Sequence, residues 1–207
     1  MDAEDDDALM RAWVQGDTRA FERLYRRHEG ALYRFVRRLL GSAAGTQADE
    51  VFQDTWARVI QARERWAPQG AAFRTWLFTL AHHRAVDCLR RSGRELSVDA
   101  DGPGPDGDDR DPWARWPEAA AAAGGRGTDP AELAFWRAAG RRLLDCLETL
   151  PLAQRSVFLL HHDDGLALDE LARALGVGFE TAKSRLRYAM SKLRNCMAAH
   201  LPTGDAA

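Results

Sequence analysis

Basic side chains begin the last long helical segment of the chain, in the run Lys-Ser-Arg-Leu-Arg at residues 183–187. The apolar residues of this segment repeat with the 3.6-residue period of a helix, and Lys183, Ser184 and Arg187 fall outside that stripe, where they can face phosphates and base edges. A shorter amphipathic segment precedes it and ends at Gly176, which supplies the positive φ that lets the chain reverse. The pattern predicts a helix-turn-helix whose second helix enters the DNA major groove N-terminus first. The alternative, a solvated basic helix in an α-hairpin, leaves the combination of tight turn, apolar pattern and basic face unexplained.

A second block, at residues 73–91, interleaves aromatic rings with arginines and histidines. Bases stack on aromatic rings while arginines follow the backbone, so this combination is typical of single-stranded nucleic-acid binding. Trp66, Phe73 and Trp76 cluster at the start of the block, and the same rings also fit the core of a helical domain. The block by itself leaves both interpretations open.

A third block, at residues 48–60, carries Glu50, Gln53 and Asp54 at positions i, i+3 and i+4 of a helix. The apolar residues of the block face the opposite way, toward a core. On a protein that otherwise binds DNA, an acidic and amide face indicates a basic protein partner. Taken alone, the same spacing also describes a solvated helix face.

Histidine and cysteine spacing argues against a metal enzyme. His82 and His83 are adjacent, as are His161 and His162, and adjacent residues on a helix point about 100° apart. No Cys-x-x-Cys or His-x-x-x-Cys spacing supports zinc. We therefore expect no metal and assign no cofactor.

The three cysteines, Cys88, Cys146 and Cys196, lie far apart in the sequence, each within a helical pattern. An odd number of scattered cysteines predicts reduced, mostly buried thiols.

Charge is unevenly distributed along the chain of 207 residues, although the net charge is only −2. Residues 63–94 contain seven arginines against two acidic residues, and residues 180–200 contain five basic residues against one acidic residue. Between them, residues 95–118 contain eight acidic residues against two arginines. Two basic helical regions separated by an acidic linker indicate two contacts with one polyanion.

The composition, rich in Ala, Leu and Arg with few β-branched runs, predicts an all-α protein of two small helical domains joined by a flexible acidic linker. The expected order is a disordered acidic tail (1–8), a first domain (9–94), the linker with Trp113 and Trp116 (95–130), a second domain with the helix-turn-helix (131–200) and a tail (201–207). No apolar run is long enough to span a bilayer, and the acidic N-terminus is unlike a signal peptide. We therefore expect a cytoplasmic protein that does not contact a membrane.

Together the three blocks resemble the extracytoplasmic-function (ECF) sigma factors of bacterial RNA polymerase, which belong to the sigma-70 superfamily. Residues 48–55 (ADEVFQDT) are similar to that family's AEDLVQET segment, and residues 73–87 (FRTWLFTLAHHRAVD) to its F-x-T-W-L-x-x-I-A-x-N-x-x-x-D segment. In the second half, residues 150–160 (LPLAQRSVFLL) and 181–186 (TAKSRL) are similar to LPxxxRxVFLL and TVKSRL. The segments occur in the family's order and spacing, and they cover nearly the whole chain outside the tails and the linker.

The resemblance implies an alternative sigma factor that directs promoter recognition, DNA melting and transcription initiation, with no catalysis of its own. Its partners would be core RNA polymerase (through the β′ clamp helices and the β flap), promoter DNA and a cognate anti-sigma factor. The residues implied for polymerase binding are Glu50, Gln53 and Asp54. Those implied for the melted minus-ten strand are Trp66, Gly70, Phe73, Arg74, Trp76, His82, His83, Arg84, Arg90 and Arg91. Those implied for the duplex minus-thirty-five element are Thr181, Lys183, Ser184, Arg185 and Arg187.

Three positions depart from the family pattern. His83 replaces a usual asparagine, Ala167 replaces a common Ser or Thr cap of the first helix of the helix-turn-helix, and Gly178 stands where Ser or Pro is common. The main alternative is a helix-turn-helix regulator that binds duplex DNA without core polymerase. It accounts for the second half of the chain but leaves the acidic face and the aromatic-arginine block without a role.

Overall fold

Eight α-helices make up the part of the chain that the computed structural model describes, which comprises residues 5–42, 45–66, 72–93, 130–162 and 165–198. They are α1 (Asp6–Val14), α2 (Thr18–Leu40), α3 (Gly45–Gln61), α4 (Phe73–Arg91), α5 (Pro130–Glu148), α6 (Leu152–His162), α7 (Leu168–Leu175) and α8 (Phe179–Cys196). No strand occurs among these residues, and the all-α prediction is confirmed.

The first four helices pack around one apolar core, with α2 in contact with α1, α3 and α4. Asp17 caps α2, because its Oδ1 accepts hydrogen bonds from the backbone N–H groups of Arg19 at 2.9 Å and Ala20 at 3.4 Å. The Gly-Asp pair at residues 16–17 predicts a break followed by a helix cap at Asp17, and the structure confirms it. Phe35 and Phe78 of the core meet edge to face, with ring centroids 5.5 Å apart.

The acidic N-terminus is ordered earlier than expected, because α1 begins at Asp6. The Asp6 carboxylate accepts a hydrogen bond from Arg27 at 2.5 Å and lies 2.7 Å from Nε2 of His28. Burial opposes ionisation of Asp6, but the bonds from His28 and Arg27 outweigh it and lower the pKa of the carboxyl group. The expectation of a disordered tail through residue 8 is therefore wrong for residues 6–8.

The second group of helices, α5 to α8, packs around α8, which contacts α5, α6 and α7. Their buried apolar residues belong to the same cluster as those of the first four helices. Cys146 of α5 and Cys196 at the end of α8 form a disulfide, with their Cα atoms 6.0 Å apart. The expectation of reduced thiols is wrong for this pair, because the fold brings together two residues that are 50 positions apart in the sequence. Cys88 is a free, buried thiol, as expected.

The predicted linker falls almost entirely outside the described residues, as do Trp113, Trp116 and the C-terminal tail. Of the helices that are described, none has the length and apolar character needed to cross a membrane.

Candidate nucleic-acid and polymerase interfaces

Helices α7 and α8 form the predicted helix-turn-helix. Gly176 ends α7 in the left-handed region, with φ 65° and ψ 33°, as the tight turn requires. At the start of α7, the backbone N–H of Ala167 donates to Oε2 of Glu170 at 3.1 Å. This is only half of a capping box, because alanine has no side-chain acceptor to return the bond.

The recognition helix α8 separates a buried stripe from an exposed basic face. Its buried positions are Ala182, Leu186, Ala189 and Leu193, as the apolar period predicts. Lys183 and Arg187 are exposed, and the Arg187 guanidinium lies 5.2 Å from the centre of the Tyr188 ring. The other predicted contact residues, Thr181, Ser184 and Arg185, are half-buried. Two cations on this helix are therefore placed to meet a polyanion directly.

The acidic face of α3 is only partly available to a partner. Glu50 and Gln53 are exposed, whereas Asp54 is half-buried and binds Arg84 of α4 and, at 3.2 Å, Arg58 of its own helix. Burial opposes ionisation of Asp54, but the hydrogen bonds from Arg84 and Arg58 outweigh it and lower the pKa of its carboxyl group. Asp54 thus ties α3 to α4, a contact that the sequence spacing does not reveal.

The aromatic residues of the second block belong mostly to the core. Phe73 is fully buried, and its ring centroid lies 5.8 Å from that of His28 and 5.9 Å from that of Trp76. Trp66 and Trp76 are half-buried against the core. Of the two roles that the sequence allows for these rings, base stacking and core packing, Phe73 therefore has the second. Gly70 lies outside the described residues.

The cations of α4 divide into engaged and exposed groups. Arg84 is bound by Asp54 and by Asp87, the latter at 3.3 Å. Arg74 lies over the Phe78 ring, 5.7 Å from its centre. Arg90 and Arg91, at the C-terminal end of α4, are exposed, as are Arg74 near its start and the ring of His83.

His82 lies in the contact between the two halves of the molecule and not on a free surface. Its Nε2 is 3.0 Å from the hydroxyl oxygen of Ser156 on α6, and its buried Nδ1 has no hydrogen-bond partner among the described residues. Burial, with a smaller contribution from the neighbouring His83, lowers the pKa of the ring from 6.5 to about 3. His82 is therefore neutral and inaccessible to DNA while the halves stay together.

Two further polar contacts join the halves. The Glu148 carboxylate accepts hydrogen bonds from the backbone N–H of Ser42 at 2.7 Å and from its hydroxyl at 3.1 Å. Arg155 donates to the carbonyl oxygen of Leu39 at 3.1 Å, across the same boundary. Helix α7, the first helix of the helix-turn-helix, also packs against α4. The two regions predicted to bind DNA, α4 and the helix-turn-helix, are therefore in contact.

No cluster of three or more His, Cys, Asp or Glu residues able to hold a metal ion occurs within the described ranges. The Nδ1–H of His161 instead donates to the carbonyl oxygen of Leu166 in the following loop, at 2.8 Å. The neighbouring His162 stacks on Phe158, with ring centroids 4.6 Å apart. Packing and local hydrogen bonding thus account for this histidine pair.

Two family models match the chain, one over each half. Residues 24–95 match Sigma-70 region 2, and residues 140–193 match Sigma-70, region 4. The ECF RNA polymerase sigma factor SigK of Mycobacterium bovis (strain BCG / Pasteur 1173P2) is 30% identical over 204 residues, which cover 94% of this chain and 95% of SigK. SigK of Mycobacterium sp. (strain KMS) is 28% identical over 195 residues, covering 92% and 90% of the two chains.

Solved structures with the same fold were determined as complexes. CnrH in complex with the cytosolic domain of CnrY matches with a TM-score of 0.61 and 24% identity, covering 94% of this chain and 97% of that one. The sigma factor RpoE in complex with the anti-sigma factor NepR, from Bartonella quintana, matches with a TM-score of 0.59 and 21% identity, covering 86% and 96%. At these identities the likeness establishes the fold.

Proposed function

The chain belongs to the ECF sigma factors of the sigma-70 family, and from that membership we propose how its two halves divide the work of an alternative sigma factor. The family consists of non-enzymatic initiation factors, so the chemistry of transcription belongs to the polymerase. The observation that carries the proposal is the ordered pair of region 2 and region 4 matches, which coincide with the two helical halves. In this proposal the first domain comprises residues 6–94, which extends the expected 9–94 to the start of α1, and the second comprises residues 131–200.

The first half binds core RNA polymerase through the exposed part of α3. Glu50 and Gln53 are one helical turn apart and exposed, so they suit a basic or polar helix of the polymerase β′ clamp. Asp54 contributes by holding Arg84 and fixing α3 against α4, which makes it a positioning residue.

The second half reads the upstream promoter element as duplex. Lys183 and Arg187 are exposed near the N-terminal half of α8, where a recognition helix meets the major groove. The half-buried Thr181, Ser184 and Arg185 flank them. Because they are more exposed than these flanking residues, Lys183 and Arg187 are the side chains best placed to contact phosphates and base edges.

The first half holds the melted minus-ten strand through the exposed basic and polar side chains of α4. His83, Arg90 and Arg91 lie on its accessible surface, and Arg74 and the half-buried Trp66 and Trp76 lie near its start. A base must leave the stack to be read there, which costs a few kcal/mol. The family resemblance also implies a base-capturing loop at residues 65–75, and Gly70 of that loop lies outside the described residues.

Engagement of both promoter elements requires the two halves to separate. Elements two turns of duplex apart lie roughly 70 Å from each other, whereas α4 and the helix-turn-helix touch in this structure. The 36 residues of the linker have a contour length of roughly 120 Å. That reach permits separation without breaking either half.

A partner that binds both halves at once would oppose this opening. A groove of about 590 Å³ lies between α2 and α5. Four arginines and two acidic residues line it together with leucines: Arg34, Arg37, Arg38, Arg141, Asp145, Glu148, Leu144 and Leu147. We propose that an acidic segment of an anti-sigma factor occupies it and stabilises the packed state, because a ligand shifts a population toward the state it binds better. Since core polymerase and promoter DNA are cytoplasmic, the proposed site of action is the cytoplasm.

Transcription by a reconstituted enzyme tests the proposed function. Core polymerase from the same organism is combined with the full chain and a library of genomic fragments, and the 5′ ends of the transcripts are sequenced. We expect start sites that depend on the chain and share two upstream elements about two duplex turns apart. DNA binding without core polymerase, together with no chain-dependent transcripts, would favour the duplex-only regulator.

A further inference from the structure

Phe179 is a large apolar side chain exposed at the start of the recognition helix. It is the first residue of α8, and 47% of its surface is exposed. The other large apolar residues found exposed in the described ranges, Ile60, Phe135 and Leu144, lie on α3 and α5. Single exposed apolar residues are common on protein surfaces, so exposure alone does not indicate a binding role for Phe179. Its position relative to the exposed cations of α8 does.

The helical register places Phe179 on the same face as the two exposed cations. Phe179, Lys183 and Arg187 are spaced by four residues, and all three are exposed. They lie beside the buried stripe that begins with Ala182. A ligand that reaches both cations along α8 therefore meets the phenyl ring at the end of the same row.

Side-chain direction brings the ring to the front of this row. On an α-helix the Cα–Cβ bonds tilt toward the N-terminus, so a side chain in the first turn projects beyond the helix end. Gly178, the residue before it, carries no side chain that would cover the ring. Because a recognition helix enters the major groove N-terminus first, Phe179 would reach the base edges before Lys183 does.

Only one apolar group is presented by the base edges of the major groove, the C5-methyl of thymine, and phenylalanine is among the side chains that contact it. We propose that Phe179 contacts the C5-methyl of a thymine in the upstream element and so determines specificity at one base pair. This inference rests on the proposed function, in which α8 reads duplex promoter DNA. It assigns to Phe179 a role in specificity, next to Lys183 and Arg187, which neutralise phosphates or bind polar base edges.

Replacement of thymine by deoxyuridine tests the contact, because it removes only the methyl group. Holoenzyme made from core polymerase and the full chain first selects an upstream element from a randomised duplex, and each thymine of that element is then replaced in turn. At one position we expect the replacement to weaken binding by wild-type holoenzyme about fourfold, the effect of burying one methyl group. The Phe179→Ala holoenzyme should bind the thymine and deoxyuridine duplexes equally.

Phe135→Ala provides a matched control, because it removes a ring of similar exposure (44%) from α5. Its holoenzyme should keep the wild-type preference for thymine. Thermal melting of both variants checks that they fold, and core-binding affinity is measured alongside.

The possible results separate the inference from the function on which it rests. If no element is enriched by the wild-type holoenzyme, the proposed function fails. If an element is enriched but Phe179→Ala keeps the deoxyuridine penalty, or the wild type shows none, only the role of Phe179 is overturned. A loss of core affinity in Phe179→Ala with an unchanged thymine preference would assign the ring to the polymerase instead and would also overturn the inference.

Discussion

The two helices predicted to bind DNA, α4 and α8, differ in how much of each remains available to a ligand. Helix α4 contacts α1, α2, α3 and α7, and it has buried Phe73 and His82 and engaged Arg84 in ion pairs. Helix α8 contacts only helices of its own half among the principal packing pairs, and Lys183 and Arg187 stay exposed. An aromatic-arginine pattern is therefore weaker evidence for a ligand site on a central helix than a basic row is on a peripheral one.

The comparison also separates two kinds of contact with a polyanion. The exposed cations of α8 are ready to bind in the structure as it stands. Those of α4 lie near the boundary between the halves, where His82 is covered by Ser156. We infer that upstream duplex binding requires little rearrangement, whereas use of the whole of α4 requires the halves to part.

The largest effect is expected from removing the basic row of α8. Lys183→Ala combined with Arg187→Ala should weaken binding to a promoter with a good upstream element at least about 30-fold, because each of the two lost base contacts is worth roughly 1–3 kcal/mol. Footprinting and run-off transcription by holoenzyme measure the effect.

Lys192→Ala with Arg194→Ala makes the matched control, with the same change in charge on the same helix but farther from its N-terminus. The control should retain most of the protection at the upstream element. Equal losses in both double variants would show that α8 supplies only general positive charge.

The disulfide between Cys146 and Cys196 should stabilise the half that carries α8 and leave the α4 bundle unaffected. Closing a loop of this size contributes about 2–4 kcal/mol to the free energy of unfolding. Cys146→Ser with Cys196→Ser should lower the free energy of opening selectively in the second half, as measured for individual amides by hydrogen exchange. Cys88→Ser tests whether loss of a buried thiol alone has this effect. A uniform change in both halves of the double serine variant would contradict selective stabilisation of the second half by the disulfide.

Glu50→Lys should weaken core-polymerase binding about tenfold, or 1.4 kcal/mol, because it places a positive charge on the face proposed to meet a basic partner. The side chain is exposed, so the variant should melt like the wild type. Fluorescence anisotropy with labelled chain gives the Kd.

Glu22→Lys, an exposed acidic residue of α2, supplies the control for charge reversal. The change at Asp54 is a poor test of binding, because that carboxylate holds Arg84 and its loss would loosen α3 from α4. An unchanged affinity of Glu50→Lys for core would remove the observation on which the α3 interface depends.

The smallest effect concerns pH and the contact at His82. Its pKa of about 3 in the packed state, against 6.5 when solvated, means that only a separated state takes up a proton as the pH falls below 6.5. Packing should therefore weaken between pH 6.5 and 5.5, by at most about tenfold in the equilibrium constant, and should not change through this group above pH 6.5. Energy transfer between dyes on the two halves follows the change. In His82→Gln the dependence should be lost, and an unaltered pH slope would assign it to another group.

Local patterns in the sequence predict most of the fold. The sequence predicts helices at about 47–62 and 72–91, and the bounds of α3 and α4 fall within two residues of these. The Asp17 cap, the Gly176 turn and the buried stripe of α8 are also confirmed. These features depend on neighbours a few residues away, which a sequence displays directly. The family blocks add the order of the two domains.

Contacts between distant segments could not be predicted in this way. The Cys146–Cys196 pair, the partners of Asp6 on α2 and the Arg84–Asp54 pair each depend on how helices dock. The same holds for Ser156 against His82, since neither residue carries a motif that points to the other. A periodic pattern shows which face of a helix is apolar, but it does not show which polar residue outside that face is engaged by another helix.

The distance between the two halves tests the central claim most directly. Dyes attached at Glu22 of α2 and Lys192 of α8 report it by energy transfer, first in the free chain and then in holoenzyme bound to a promoter with both elements. The account predicts a short distance in the free chain and an increase of tens of ångströms on the promoter, because elements two duplex turns apart lie roughly 70 Å from each other. A promoter complex that initiates transcription with the dyes still at their free-chain distance would contradict it.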